Sequence, residues 1–251
     1  AGTVMTVDII NDKITNPAKV AAAGPSDLYD ISIETLAGAG VVQDTGSSRV
    51  AIQDAQSVSA SINTVLTFSL VGVANAGNCT GTGPRTNNTG VASTTTTIPF
   101  GVLEPLARHQ TCQTLTIATN APSGYSLFVV QNGNLTAGSD DIDQFKDGTR
   151  IDESAATVWT APAVSAQNEN THGHFGYVSN DIDAFASTDN FAGVPTGPAS
   201  GSAPNTTGLA CKNTAATVGD TCLVEFDVEI SALQPAGSYT AELQYIVVPI
   251  Y

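Results

Sequence analysis

Basic charge is what this chain has least of. Of its 251 residues only 8 are Lys or Arg, against 23 Asp or Glu, and the formal net charge is −15. A phosphate backbone or an anionic lipid surface needs cationic side chains to replace its counterions, so neither nucleic acid nor membrane insertion is expected. Aromatic residues are scarce at 6%, with one tryptophan, Trp159. That is little for a cleft that stacks sugars. No run of 18 or more apolar residues is present, so no membrane-spanning helix is expected. None of the four cysteines lies in a CxxC, which argues against zinc and thioredoxin-type sites. GxSxG, HExxH and a glycine-rich phosphate loop are also missing. No enzyme is expected.

What fills the chain instead is Thr, Ala, Asn, Ser and Gly. Low charge density with many small residues suits an exported protein that repeats itself in an array. The chain begins at Ala1, and the expectation drawn from this is a mature, extracellular form left by signal-peptide cleavage. An even count of cysteines in such a chain favours two disulfides. Three connectivities are open. The simplest joins Cys79 to Cys112 and Cys211 to Cys222, because each pair then flanks one intervening segment.

Apolar residues recur with period two and nowhere with a sustained period of 3.6. Val224, Phe226, Val228 and Ile230 alternate with Glu225, Asp227 and Glu229, a strand with one apolar and one acidic face. Gln234, Pro235, Ala236 and Gly237 then form a turn, and Tyr239, Ala241, Leu243, Tyr245 and Val247 alternate again. A closing hairpin is expected there, and a second one joins 111–119 to 125–131 around Pro122 and Gly124. Between 132 and 210 the pattern weakens into what reads as a long loop-rich insertion. The fold class expected is all-β, an Ig-like or jelly-roll-like β-sandwich of about ten to twelve strands. Residues 1–27 read as an N-terminal strand and tether, and 28–251 as a single sandwich domain. In the first segment Thr3, Met5, Val7 and Ile9 share one side of a strand, followed by a linker of about seventeen residues. Fully extended, such a linker reaches ~50 Å.

Three blocks carry a resemblance. One runs from Ser61 to Val73 and through Ile98, Pro99, Phe100 and Gly101 to the 115–125 stretch. The second is 168–177, and the third is 230–240 together with Tyr245. Together they resemble secreted bacterial cell-surface β-sandwich proteins, and the terminal AGSYTAELQY is similar to the last strand of fimbrial and spore-coat-type filament subunits. The resemblance implies polymerisation by donor-strand exchange, with residues 3–9 as the donor. It brings no catalytic residues.

Several constellations bear on chemistry. Asp140, Asp141 and Asp143, with Asp147 beyond, offer the hard oxygens that Ca²⁺ prefers, although their spacing does not fit a Ca²⁺-binding loop. Turn capping by the same carboxylates is the plainer reading, and no other cofactor is indicated. His172 and His174 share a strand face, but no third ligand is near in sequence. Asn78, Asn87, Asn134 and Asn205 each open an Asn-x-Ser/Thr triplet, and Thr94 to Thr97 form a run that suits O-linked sugar. The function expected is a structural subunit of an extracellular, pilus-like homopolymer. Thr3, Met5, Val7 and Ile9 of one copy would meet Leu243, Tyr245 and Val247 of the next. The alternatives are a surface-layer protein and an adhesin that binds glycans through the 132–210 insertion.

Overall fold

The computed structural model describes residues 18–20, 22–79, 85–146, 149–162, 172–197 and 207–251. The expected donor strand at 3–9, Asp147 and Asn205 lie outside the described residues. The chain forms two compact units, Ala1–Ile62 and Asn63–Tyr251.

In the first unit β1 (Asp27–Leu36) and β2 (Val42–Ile52) pair antiparallel, from Asp27 opposite Ile52 to Leu36 opposite Val42. The sequence reading placed 28–36 at the start of the sandwich, whereas these residues form a two-stranded ribbon in the first unit.

The second unit holds β3 (Leu66–Gly72), β4 (His109–Thr119), β5 (Tyr125–Gln131), β6 (Leu135–Ala137), β7 (Asp140–Gln144), β8 (Thr157–Val158), β9 (Gly173–Ser179), β10 (Asn190–Gly193), β11 (Leu209–Asn213), β12 (Thr217–Ile230) and β13 (Leu243–Pro249). Eight strands form one sheet in the order β3-β4-β12-β9-β10-β8, with β7 parallel to β9 and β6 paired to β7. The second sheet is β11-β5-β13. The fold is all-β and sandwich-like, without a barrel.

Neither expected hairpin forms. β4 pairs with β3 and β12, while β5 pairs with β11 and β13. Likewise β12 lies in the large sheet and β13 in the small one. The alternation is as read, but each apolar row faces across the sandwich, so the turn between consecutive strands crosses from one sheet to the other. Gly124 makes the first crossing possible. Its φ is +75°, and a Cβ there would stand 2.0 Å from the Asn213 carbonyl oxygen.

Leu115 and Ile117 of β4, Phe175 and Tyr177 of β9, and Val224, Phe226 and Val228 of β12 are buried against Tyr125, Leu127 and Val129 of β5. Phe175 and Phe226 stack at 5.9 Å. The 132–210 stretch is therefore no appendage. It supplies β9, buried along its whole length beside β12, together with the core side chains Ile142, Phe145, Phe185 and Phe191. Two disulfides tie the unit, Cys79–Cys112 and Cys211–Cys222, with Cα separations of 5.4 and 6.3 Å.

Candidate functional site

Two edges of the sandwich end side by side with nothing paired to them among the described residues: β3 at one end of the large sheet and β13 at one end of the small sheet. On β13 the Asn132 N–H donates to the Glu242 carbonyl at 3.0 Å, and the Ile250 N–H donates to the Gly124 carbonyl at 2.8 Å. Even-numbered residues thus direct their backbone to β5. Leu243, Tyr245 and Val247 direct their N–H and C=O groups the other way. Pro249 falls on that same open side, where its missing N–H costs no ladder bond. On β3 the Val65 carbonyl accepts from the Asn120 N–H at 3.3 Å. Odd residues therefore face β4, and Leu66, Phe68 and Leu70 present their backbone groups outward.

The side chains of these same residues line the gap. Leu66 and Phe68 are 40% and 39% exposed, and Leu70, Leu243, Tyr245 and Val247 are half-buried. Phe68 and Tyr245 approach to 6.3 Å between ring centroids. The Tyr245 hydroxyl donates to Gln113 Oε1 at 2.9 Å, and Gln113 Nε2 donates to the Thr94 carbonyl at 2.6 Å. Burial pushes the Tyr245 phenol above its ordinary range, so it stays a neutral donor. From here a cleft of about 360 Å³ runs past Ile98, Ala241 and Leu243. The same three residues border a cavity of about 710 Å³ floored by Ile142, Phe175, Val228 and Ile230. The flank is thus a trough of mixed lining, apolar at Leu70, Ile98, Leu243 and Tyr245 and polar at Thr95, Thr96, Gln113 and Glu242, and among the described residues the outward backbone groups along its two lips have no strand partner.

A second cluster lies on the outer face of the large sheet. Glu225, Asp227 and Glu229 read as a solvated face in the sequence, but they are 0%, 0% and 7% exposed. Arg85 Nε pairs with Glu225 at 2.9 Å, Arg108 Nε donates to Asp227, and Trp159 Nε1 donates to Glu229 at 2.7 Å. Arg108 also lies over the rings of Trp159 and Phe191, at 4.9 and 4.5 Å. Phe145 stacks on Trp159 at 4.8 Å, and buried His174 meets both rings edge-on. Gly176 allows this lid to lie flat, since a Cβ there would stand 2.9 Å from Cβ of Phe145. Burial, and then the charge of Asp227, pushes the Glu225 carboxyl up to about 9. Burial also raises Asp227, against the pull of Arg108. The pair holds a proton at neutral pH. Neither carboxylate lines any of the cavities described above, so the cluster glues the lid to the sheet.

The remaining expected site residues are placed as follows. Asn134 Nδ2 donates to Asp141 at 2.8 Å and to Asp143 at 3.2 Å. Asp140 lies on the other face of β7 by strand alternation. Among the described residues the one trio of metal-ligating type is Asp181, Cys211 and Cys222, and both of its sulfurs are in a disulfide. The Asn87 expectation needs correcting. Asn87 is fully buried, and its amide nitrogen donates to the carbonyls of Val73 and Val91, so the folded chain has no room for a sugar there. The Asn134 amide is engaged as above, and Asn78 is exposed beside buried Cys79. Thr94 to Thr97 are exposed.

The proton held on Glu225 has a measurable consequence. A carboxyl at 4.5 in the unfolded chain and near 9 when folded binds a proton only in the folded state between those values. Its contribution is complete at low pH and is lost as pH rises toward 9. His109, held below 6.5 by burial, works in the opposite direction, but its effect is complete by pH 7. The transition temperature of the second unit should fall between pH 7 and 9, and Glu225→Gln, which cannot titrate, should flatten that fall. A transition temperature that rises over this range in thermal melts would refute the shared proton.

Searched against family models, curated proteins and solved structures, the chain matches none.

Proposed function

We propose that the chain is a structural subunit of an extracellular filament, in which residues 3–9 of one copy fill the open flank of the next. The observation that carries this reading is the trough between β3 and β13, which leads to the apolar-floored cavity beside Leu243 and whose lips have no strand partner among the described residues. A trough of that kind calls for an extended strand whose alternate residues are apolar. Thr3, Met5, Val7 and Ile9 have that pattern. The two disulfides fit an oxidising, extracellular setting, and no helix among the described residues is long and apolar enough to cross a membrane.

Polarity follows from the free edge. Every ladder of the small sheet is antiparallel, and antiparallel pairing is the slightly stronger kind. An antiparallel donor places Ile9 opposite Leu243 at the cavity, Val7 opposite Tyr245, Met5 opposite Val247, and Thr3 opposite Pro249 at the outer end. The polar residue then meets solvent, and the residue facing Pro249 gives up one bond only. Burial of Met5, Val7 and Ile9 contributes about 1.5–3 kcal/mol each before ordering costs. Nothing singles out 132–210 as a separate glycan-binding module, because it supplies the strand beside β12.

Deletion of residues 1–10 should abolish polymers in negative-stain micrographs and leave folded monomers. Truncated chains that still polymerise would rule out strand insertion. The register is read separately by mixing Ile9→Cys chains with Leu243→Cys chains. Intermolecular disulfides should form in this pair and not between Ile9→Cys and Val247→Cys. The reverse preference would overturn the antiparallel polarity alone.

A further inference from the structure

The Cys79–Cys112 disulfide lies on the outer face of the large sheet, against the acidic row of β12. Cys112 stands directly opposite Glu225 in the β4–β12 ladder, so the two side chains are neighbours on one face. Cys79 comes from an arm between β3 and β4. The legs of this arm pair antiparallel: the Asn87 N–H donates to the Gly77 carbonyl at 2.9 Å, and the Cys79 N–H donates to the Arg85 carbonyl at 3.1 Å. One leg is tied to β4 at Asn88, whose N–H donates to the Gln110 carbonyl at 3.0 Å. Further out the covalent tie is the disulfide, and the residue bonded across from Cys79 is Arg85. From there Arg85 reaches Glu225 at 2.9 Å, Asp189 at 3.0 Å and the Thr188 carbonyl, and its guanidinium lies 5.0 Å over the Phe191 ring.

We infer that the Cys79–Cys112 disulfide is a latch that delivers Arg85 to Glu225, so that the redox state of this cysteine pair and the proton on the acidic row are coupled. Closing the latch by exchange with a small disulfide joins the two sulfurs, and the two electrons and two protons leave with the small molecule as its dithiol. Arg85 then stands beside Glu225 and favours the charged carboxylate, against burial and the charge of Asp227. The groups around Glu225 set what else can act on it. β12 contributes Asp227 and Glu229, β4 contributes Gln110 and Cys112, and β9 contributes Val178, with His174 opposite Glu229. Arg108, the other cation, sits on Asp227 and adjoins the first residue of β4, so opening the latch leaves it in place. The coupling runs both ways. A charged Glu225 holds Arg85, and with it Cys79, over Cys112, so loss of the proton strengthens the disulfide. Cys211–Cys222 joins β11 to β12, and Cys222 is on the opposite face of β12 from Glu225 by alternation, which makes it an internal reference. The inference does not depend on the filament reading.

The test uses the full chain, equilibrated at graded ratios of dithiothreitol to its disulfide, with the oxidised fraction of each cysteine pair read by alkylation and peptide mass mapping. Between pH 7 and 9 the stability of Cys79–Cys112 relative to Cys211–Cys222 should rise several-fold more in the native chain than in Glu225→Gln, whose thiols ionise alike. A Glu225 midpoint lowered by about one pH unit on oxidation corresponds to about tenfold. The same pH dependence in both chains overturns the inference, as does opening of both disulfides in one step. The proton is read separately by carbon NMR of the Glu225 carboxyl. Its midpoint should rise in Cys79→Ala/Cys112→Ala as far as it does in Arg85→Gln, and the combined variant should move it no further. An unchanged midpoint in the cysteine variant, Arg85 then being kept in place by Asp189 and Thr188 alone, overturns the latch, and so do additive shifts. Should the cysteine variant fail to fold, the redox comparison decides alone.

Discussion

A β-strand is finished only when the polar groups on both of its edges have partners, and much about this molecule follows from where that condition is unmet. Within the sandwich β4, β12, β9 and β5 are paired on both sides, and their apolar faces are sealed. Among the described residues β3 and β13 are paired on one side only. Leu66 and Phe68, 40% and 39% exposed, lie beside the outward backbone of β3, and Phe68 meets Tyr245 of β13 at 6.3 Å. A sheet edge with unpaired backbone beside exposed apolar side chains is an aggregation hazard unless a defined strand occupies it. Reading the flank as a receptor for such a strand turns the hazard into a means of assembly.

The acidic face of β12 is settled differently. Eight basic residues must serve the whole chain, and two of them, Arg85 and Arg108, are committed to Glu225 and Asp227. Buried ion pairs add little net stability over apolar packing, yet loss of one partner leaves an uncompensated charge costing about 3–5 kcal/mol. Such a cluster specifies position more than it stabilises. It fixes the lid of Phe145, Trp159 and Phe191 to the sheet.

Much of the strand content was legible from period two alone, because half-buried strands must alternate. Pairing was not. The alternation of 111–119 and 125–131 is the same whether the two form a hairpin or cross between sheets, and only the crossing turn at Gly124 separates the cases. Sparse hydrophobics hid β9, since a strand covered on both faces by aromatic side chains and by Glu225, Asp227 and their arginines needs few aliphatic residues of its own. Glu225 and Asp227 read as solvated because their cover comes from segments distant in sequence, around Arg85, Arg108 and Trp159. Leu243, Tyr245 and Val247 were picked out from the sequence as a single row. Their partner row on β3 was not, because adjacency of two strands from different sheets leaves no local signal.

Residue-resolved amide hydrogen exchange on β13, in isolated subunits and in assembled material, tests the open flank most directly. The N–H groups of Gln244 and Ile246 face β5 and should be protected in both states. Those of Leu243, Tyr245 and Val247 should exchange freely in the isolated subunit and become protected on assembly. Protection of these three in the isolated subunit, or free exchange in the assembled form, would contradict a flank that waits for a neighbour's strand.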